Sequence, residues 1–198
     1  MKNEESTGHV VNSDALPERF PTHLIEPAFW ESLGRAVATF GFLEDVLSKA
    51  IFAFTATTNY KDEELEQAYK KWIPLLEKAL ADPLGNLIGS YGEAVRSHRE
   101  AQIENFEELL KDLRKASKLR NVICHGSWGA PDYNGATVPF FVNREQEVFD
   151  TPIDIAFIDK LQKGTTDLIC VVINTVTHMG WQFPGSSGPG RVIWARRK

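Results

Sequence analysis

The pattern of apolar and polar positions is helical over most of the chain. From about Pro27 to Phe54, apolar residues recur every three or four positions, the spacing of one face of an α-helix. A proline suits the first turn of a helix, so Pro27 marks its start. The pattern predicts a long first helix whose inward face is formed by Phe29, Leu33, Val37, Phe40, Leu47, Ile51 and Phe54.

Two more helices are predicted in the first two thirds of the chain. The second spans residues 62–81, and Pro74 should kink or split it. Residues 82–86 have the composition of a turn. The third helix spans about residues 92–125, with a possible break at residues 97–98, and a glycine ends it. Its inward face is formed by Leu109, Leu110, Leu113, Ala116, Ile123 and Cys124.

A short β-hairpin is predicted between the third helix and the last one. Residues 137–142 and 147–149 are β-prone and flank a polar turn, and Pro139 restricts the first strand to an edge. Thr151 then resembles a helix N-cap with Pro152 at the first helical position. The last helix should continue to about residue 179, with an inward face formed by Phe157, Leu161, Leu168, Val172 and Val176.

These elements predict an all-α protein, an up-and-down helical bundle with a small β-hairpin (about residues 137–149) inserted before the last long helix. A chain of 198 residues suits one domain. We expect a flexible lead-in over residues 1–22 and a helical domain over residues 23–180. Residues 181–198 form a basic, Gly- and Pro-rich tail, either a loose extension or a docking arm.

Charge is unevenly distributed along the chain. The net charge of −5 counts against a generic nucleic-acid-binding protein. Residues 1–110 contain 19 acidic and 10 basic side chains, whereas residues 111–198 contain 8 acidic and 12 basic ones. A basic stretch is usually a solvated helix face, but Lys111, Arg114, Lys115 and Lys118 lead directly towards the polar residues described next. An anionic ligand is therefore expected near the end of the third helix.

Arg120 occupies an unusual position on the third helix. It falls in the middle of the apolar face, where an unpaired guanidinium would cost several kcal/mol to desolvate. Asn121 and His125 are four residues apart and lie one above the other at the edge of that face. On the first helix, Glu44 is similarly placed among apolar residues. We predict an Arg120–Glu44 ion pair, which either fixes the register of two helices or orients Arg120 within a catalytic groove.

The segment from Lys118 to Gly126 resembles the R-x(4–6)-H signature of HEPN domains, including the frequent asparagine after the arginine. Phe42-Leu43-Glu44 resembles the acid-bearing first helix of several HEPN families. The resemblance implies a HEPN-like bundle and an endoribonuclease that cleaves RNA without a metal ion through attack by the 2′-hydroxyl. It implies catalytic roles for Arg120 and His125, supported by Asn121 and Glu44.

The same resemblance implies partners. Many HEPN proteins form homodimers in which two motif helices line one shared cleft, and the family suggests a toxin or antiviral-defence role with an antitoxin or regulatory protein. We expect Arg114, Lys115 and Lys118 to bind RNA. Trp128 is expected to cap the end of the bundle, with stacking on a base as the alternative.

No cluster of His, Asp or Glu residues has the spacing of metal ligands, so neither a metal site nor a cofactor is predicted. The polar, acidic N-terminus argues against a signal peptide, and no apolar run is long enough to cross a membrane. Cys124 and Cys170 are too few for a disulfide framework and suggest reduced thiols. We expect a cytoplasmic protein.

Two other functions compete with RNA cleavage. One is a non-catalytic HEPN-like module that binds RNA, a nucleotide or a protein. The other is thiol chemistry at Cys124 and His125, but adjacent helical residues point about 100° apart, and Cys124 lies on the apolar face. His98, between Arg96 and Arg99, is expected to belong to a solvated patch.

Overall fold

The structure is a computed structural model that describes residues 8–193, except for the side chains of Lys78 and Leu80. Within these residues it has five α-helices and no β-sheet, so the prediction of an all-α protein is confirmed. The helices are α1 (Pro27–Ala56), α2 (Leu65–Ala81), α3 (Leu84–Ser97), α4 (Phe106–His125) and α5 (Ile155–Thr177). None of the helices in this part of the chain combines the length and apolar character that a membrane span requires.

Helix α1 is the centre of the bundle, because each of the other four helices packs against it. Its most extensive contact is with α5. Ala36 and Ala50 are fully buried, and their small side chains allow close packing along α1. The prediction that Val37 is a core residue is wrong, since it is 38% exposed. The buried face passes instead through positions that include Leu43 and Val46.

The predicted third helix is two helices, and the break expected at residues 97–98 is confirmed. Residues 84–86 were predicted to lie in a turn, but α3 begins at Leu84, directly after Pro83. It ends at Ser97, and α4 begins at Phe106 after a separate connection. Three glycines lower the helix propensity of α3, but burial of its apolar face outweighs that cost. The buried apolar side chains are Leu84, Leu87, Ile88, Tyr91, Ala94 and Val95.

Helix α2 is not split at Pro74, because the helix continues from Leu65 to Ala81. The ring of Pro74 lies on the exposed side, where it does not disturb the packing against α1. Trp72 joins the two helices through a 2.9 Å hydrogen bond that its indole Nε1 donates to Thr55 Oγ1.

The predicted hairpin is not formed as a pair of regular strands. The segment between α4 and α5 contains three isolated antiparallel bridges, one of them between Val142 and Val148. Pro139 has no N–H to donate, which prevents a continuous ladder through the first predicted strand. The chain therefore folds back on itself with a single bridge at the expected turn.

A second bridge in this segment corrects the start of the last helix. Thr137 and Ile153 exchange two backbone hydrogen bonds of 2.9 Å, which hold the chain extended beyond Pro152. Thr151 is consequently not the N-cap. Asp154 caps α5 instead, where its carboxylate accepts a 2.7 Å hydrogen bond from the amide of Phe157.

The last part of the lead-in and the described part of the tail lie against the bundle. The indole of Trp30 donates a 3.0 Å hydrogen bond to the carbonyl of Thr22 in the lead-in. In the tail, Phe183 is buried, and the guanidinium of Arg191 lies 5.6 Å from the ring centroid of Trp181. Residues 181–193 therefore agree with the docking arm and not with a loose extension. Residues 194–198, which include three of the tail's basic side chains, lie outside the described residues.

Candidate functional site

Arg120 and Glu44 join the motif helix α4 to the central helix α1. The distance from Arg120 Nη2 to Glu44 Oε1 is 3.3 Å, so the predicted ion pair is confirmed. The two side chains retain 25% and 28% of their exposure. The pair is thus mostly withdrawn from water but is still accessible from one side.

Asn121 restrains the same guanidinium from a second direction. Its side-chain oxygen is 3.4 Å from Arg120 Nη1, a long hydrogen bond within α4. A guanidinium carries five N–H groups, and these two contacts occupy only two of them. The side chain of Arg120 retains 25% of its exposure, so an anion can still reach the guanidinium.

His125 lies on a different side of α4. It is the last residue of the helix and is exposed, and its imidazole forms no hydrogen bond or ion pair within residues 8–193. Five helical residues separate it from Arg120, which places the two side chains about 140° apart around the axis. Within one chain, hydrogen bonds and an ion pair join Arg120 to Asn121 and Glu44, whereas His125 forms no such bond with any of the three.

Gly126 is required by the way the chain leaves α4. A Cβ at this position would lie 2.6 Å from the carbonyl oxygen of Val122 and 2.7 Å from Cβ of Pro139. The backbone of the returning segment thus passes directly over the end of the helix. This close approach fixes the direction of the chain immediately after His125.

A polar stripe runs along the exposed side of α4 and ends at His125. Arg114, Lys118, Asn121 and His125 are spaced by four, three and four residues, so they fall within an arc of about 60°. Arg114 and Lys118 are exposed and have no carboxylate partner within the described part of the chain. Lys115 lies outside this arc, and its ammonium is 2.8 Å from Asp112, whose hydrogen bond raises the pKa of the lysine.

Cys124 lies beside the ion pair but is poorly suited to nucleophilic chemistry. Burial raises the pKa of its thiol, the guanidinium of Arg120 lowers it, and the carboxylate of Glu44 raises it again. The net effect is a raised pKa, so the fraction of thiolate is reduced. This disfavours the alternative of thiol catalysis.

Trp128 packs against the N-terminal part of α1. Its ring meets Phe29 edge to face at 5.1 Å between centroids, and it meets Trp30 at 6.3 Å. These contacts agree with a residue that caps the end of the bundle.

His98 does not belong to a solvated patch, contrary to the prediction. It is 4% exposed, its Nε2 lies 3.1 Å from Thr57 Oγ1, and its ring meets Phe54 edge to face. The nearby Arg96 forms an ion pair with Glu107, with 2.7 Å between Nη2 and Oε1. His98 therefore ties the end of α3 to the end of α1 and has a structural role.

An open cleft of about 320 Å³ lies beside the carboxylate of Glu44. Sequence reasoning missed it, because its opposite wall comes from the end of α2 and from α3, whose start was predicted as a turn. The lining residues are Gly41, Glu44, Asp45, Ser48, Ala79, Ala81, Asp82 and Leu87.

No family model matches this chain, and neither the curated proteins nor the solved structures compared with it gave a match. The function of this chain is therefore inferred from its own residues.

Proposed function

We propose that this protein is an endoribonuclease that cleaves RNA without a metal ion, with Arg120 and His125 as its catalytic residues. The observation that carries the proposal is the Arg120 guanidinium, which is held by Glu44 and Asn121 yet open on one side. It lies near the end of the helix whose exposed stripe of Arg114 and Lys118 ends at His125. We further propose that the five helices are an elaborated form of the HEPN bundle.

The residue types fit cleavage by the 2′-hydroxyl of the substrate. A base must remove the proton of that hydroxyl, and an acid must protonate the 5′-oxygen that leaves. Imidazole can fill either role near neutral pH. A guanidinium can stabilise the additional negative charge on the phosphorane. The products are a 2′,3′-cyclic phosphate and a 5′-hydroxyl.

Two proton transfers require two groups, and each chain supplies a single imidazole at this helix end. The proposal therefore includes a homodimer in which two copies of His125 serve one RNA strand. Arg114 and Lys118 would bind phosphates along the way to the site, with Lys115 at its edge. A cytoplasmic toxin or antiviral-defence role, controlled by an antitoxin or regulatory protein, completes the proposal.

The decisive experiment is an RNA-cleavage assay in EDTA with single-stranded RNA and DNA of the same sequence. We expect the RNA to be cut to 2′,3′-cyclic phosphate ends and the DNA to remain intact, because it lacks the 2′-hydroxyl. His125→Ala should lower the rate by about 10²–10⁴, the usual contribution of a positioned acid or base. The matched control is His178→Ala, which removes an exposed imidazole at the end of α5 and should leave the rate unchanged.

The role of Arg120 is best tested by a substitution that keeps the positive charge. Arg120→Ala would leave Glu44 without its partner at a largely buried position, whereas Arg120→Lys keeps a cation there and loses the bidentate geometry. We expect Arg120→Lys to stay folded and to cleave more slowly. The ribonuclease proposal fails if folded wild-type and His125→Ala proteins leave RNA equally intact.

One observation favours a second candidate, a non-catalytic module that binds RNA, a nucleotide or a protein. His125 forms no hydrogen bond or ion pair with Arg120, Asn121 or Glu44, so one chain alone does not link its imidazole to the held guanidinium. A module of this kind would bind single-stranded RNA without cutting it. Fluorescence anisotropy with labelled RNA distinguishes the two functions, and Arg114→Glu should weaken binding in either case.

A further inference from the structure

The side of α1 that faces away from the core carries an ordered set of charges. Glu31, Arg35, Ala38, Phe42, Asp45 and Lys49, here called the outer face, fall within an arc of about 80° around the helix axis. The ring of Phe42 is 54% exposed, and the side chains of Glu31 and Arg35 are each 65% exposed. A Cβ added at Gly34, next to this arc, would meet nothing within 4 Å, so that edge of the face is open.

The outer face is complementary to itself when the helix is reversed. Glu31 and Lys49 lie nine positions before and after Phe40, and Arg35 and Asp45 lie five positions before and after it. If the helix is turned end over end about Phe40, each acidic residue of the outer face takes the position of a basic one, and each basic residue that of an acidic one. The same reversal also exchanges Ala38 with Phe42, a small side chain with a large one.

We propose that the outer face of α1 binds the same face of a second copy of this chain, antiparallel and across a two-fold axis at the level of Phe40. Such an interface uses one patch twice, and self-complementary charge is what it requires. Glu31 would meet Lys49 of the other copy, and Arg35 would meet its Asp45. A parallel arrangement would place like charges together and is disfavoured.

The charges are already organised for this arrangement. Arg35 pairs with Glu31 at 2.7 Å, and Lys49 pairs with Asp45 at 2.6 Å, each one helical turn apart in the same chain. On association, each charge would gain a second partner of opposite sign. The two copies would then share an ion-pair network, which orders charges better than isolated exposed pairs do.

A groove beside the outer face fits the exposed aromatic ring. It has a volume of about 410 Å³ and lies between α1 and α5, where it is lined by Ala38, Thr39, Phe42 and Ile169. The two-fold arrangement places Phe42 of the second copy over Ala38, at the wall of this groove. Each copy therefore offers both a ring and a place for the other ring.

The length of the outer face limits the affinity that we expect between the two copies. From Glu31 to Lys49 it is about 27 Å long, and one helix face of that length is smaller than a standard interface of about 1,600 Å². We therefore expect reversible association that depends on protein concentration. Because exposed charges are screened by salt, the association should weaken as ionic strength rises.

This interface does not assemble the catalytic site. Glu44 lies about 140° around α1 from the centre of the outer face, so the two Arg120–Glu44 pairs would lie on the far sides of the dimer. The contact through the outer face is therefore separate from one that would bring two copies of His125 to a single RNA strand.

Sedimentation velocity from about 1 to about 200 µM protein tests the proposal. We expect wild type to shift towards a dimer with rising concentration, and Arg35→Asp to stay monomeric because it sets two acids against each other across the axis. The double variant R35D/D45R restores opposite charges in the reverse sense and should recover the dimer. Lys163→Asp is the matched control, since it also breaks an exposed ion pair one turn apart, on α5.

Circular dichroism of each variant checks that it is folded, and Phe42→Ser provides a second disruption that does not depend on charge. A wild-type protein that remains monomeric at about 200 µM overturns the proposal. So does a dimer that Arg35→Asp disturbs no more than Lys163→Asp does, because the copies would then meet through another surface. A dimer rescued by the double variant supports the interface even if the RNA assay is negative. RNA cleavage by a dimer that Arg35→Asp does not disturb overturns the interface alone and leaves the proposed function standing.

Discussion

Arg120 and Glu44 differ from the other ion pairs described here in how little water reaches them. Their side chains are 25% and 28% exposed, whereas those of Arg35 and Glu31 are each 65% exposed. By distance alone the exposed pair looks stronger, at 2.7 Å against 3.3 Å. Water screens the exposed pair, and a half-buried charge that loses its partner is not fully rehydrated. Burial should therefore decide which pair stabilises the fold.

Replacing Glu44 by glutamine tests this ranking. Glu44→Gln leaves the guanidinium of Arg120 without its carboxylate and should lower the free energy of unfolding by about 1–2 kcal/mol. Glu31→Gln is the control and should change it by less than about 0.5 kcal/mol. Urea denaturation at neutral pH measures both. Equal losses in the two variants would show that burial of the Arg120–Glu44 pair has no energetic effect.

The ion pair could be predicted from the sequence, but the role of His98 could not. Arg120 and Glu44 each interrupt an apolar face. Two opposite charges on the inward faces of one bundle are expected to pair, because each would otherwise be desolvated without a partner. His98 gives no comparable signal, because it follows the end of α3 and does not interrupt an apolar face, and its partner is the hydroxyl of Thr57 at the end of α1. The position of His98 depends on where α3 ends, and the start of that helix was also predicted wrongly.

Helix α3 shows how packing overrides local preference. Gly85, Gly89 and Gly92 suggest a turn-rich segment, yet tertiary burial keeps all three within one helix. Gly92 has a reason to be glycine, since a Cβ there would lie 3.1 Å from Leu110 Cδ1 on α4. Gly89 has none, because a Cβ there would meet nothing within 4 Å. Local propensity cannot separate these two cases, which differ only in their neighbours.

Alanine substitutions at the two glycines should therefore have different effects. Gly89→Ala should raise the free energy of unfolding by about 0.5–1 kcal/mol, because alanine restricts the unfolded chain and favours the helix. Gly92→Ala makes the same gain but pushes against Leu110, so it should be less stable than Gly89→Ala by about 1 kcal/mol or more. Thermal and urea unfolding check both variants. Equal gains would mean that α3 and α4 separate easily.

Tyr91 joins α3 to α5 and makes the contact sensitive to alkaline pH. Its hydroxyl lies 2.8 Å from Thr175 Oγ1 within the core. Burial raises the pKa of Tyr91 well above its usual range, and the hydrogen bond to Thr175 lowers it by less. The unfolded chain releases this proton near pH 10, so the contribution of Tyr91 is complete below that pH and is lost as pH rises above it.

Tyr91→Phe should remove this dependence. At neutral pH it should cost about 1 kcal/mol, the value of one buried hydrogen bond. Between about pH 9 and pH 11, wild type should lose about 1 kcal/mol more stability than the variant does. The control is Tyr133→Phe, which alters a phenol that is 96% exposed and should follow wild type. Parallel curves for wild type and Tyr91→Phe would contradict the assignment.

At the scale of the whole molecule, the sequence predicted the long helices better than the segments that connect them. Periodicity placed α1, α2 and the end of α4 closely, because each has a long apolar face. The connections depend on contacts distant in sequence, such as the pairing of Thr137 with Ile153 that moves the start of α5 to residue 155. The tail is a similar case, since Phe183 is buried in a segment whose composition suggests a loose end.

The packing of α1 against α5 has a consequence for synthesis on the ribosome. Helix α1 is made before the other four described helices and makes its most extensive contact with α5, so its apolar face has no complete partner until residues 155–177 have been made. Contacts between distant parts of a chain form late. A nascent chain that stops before α5 should thus expose the part of α1 that packs against α5 in the folded protein, and we expect a chaperone to bind the chain at this stage.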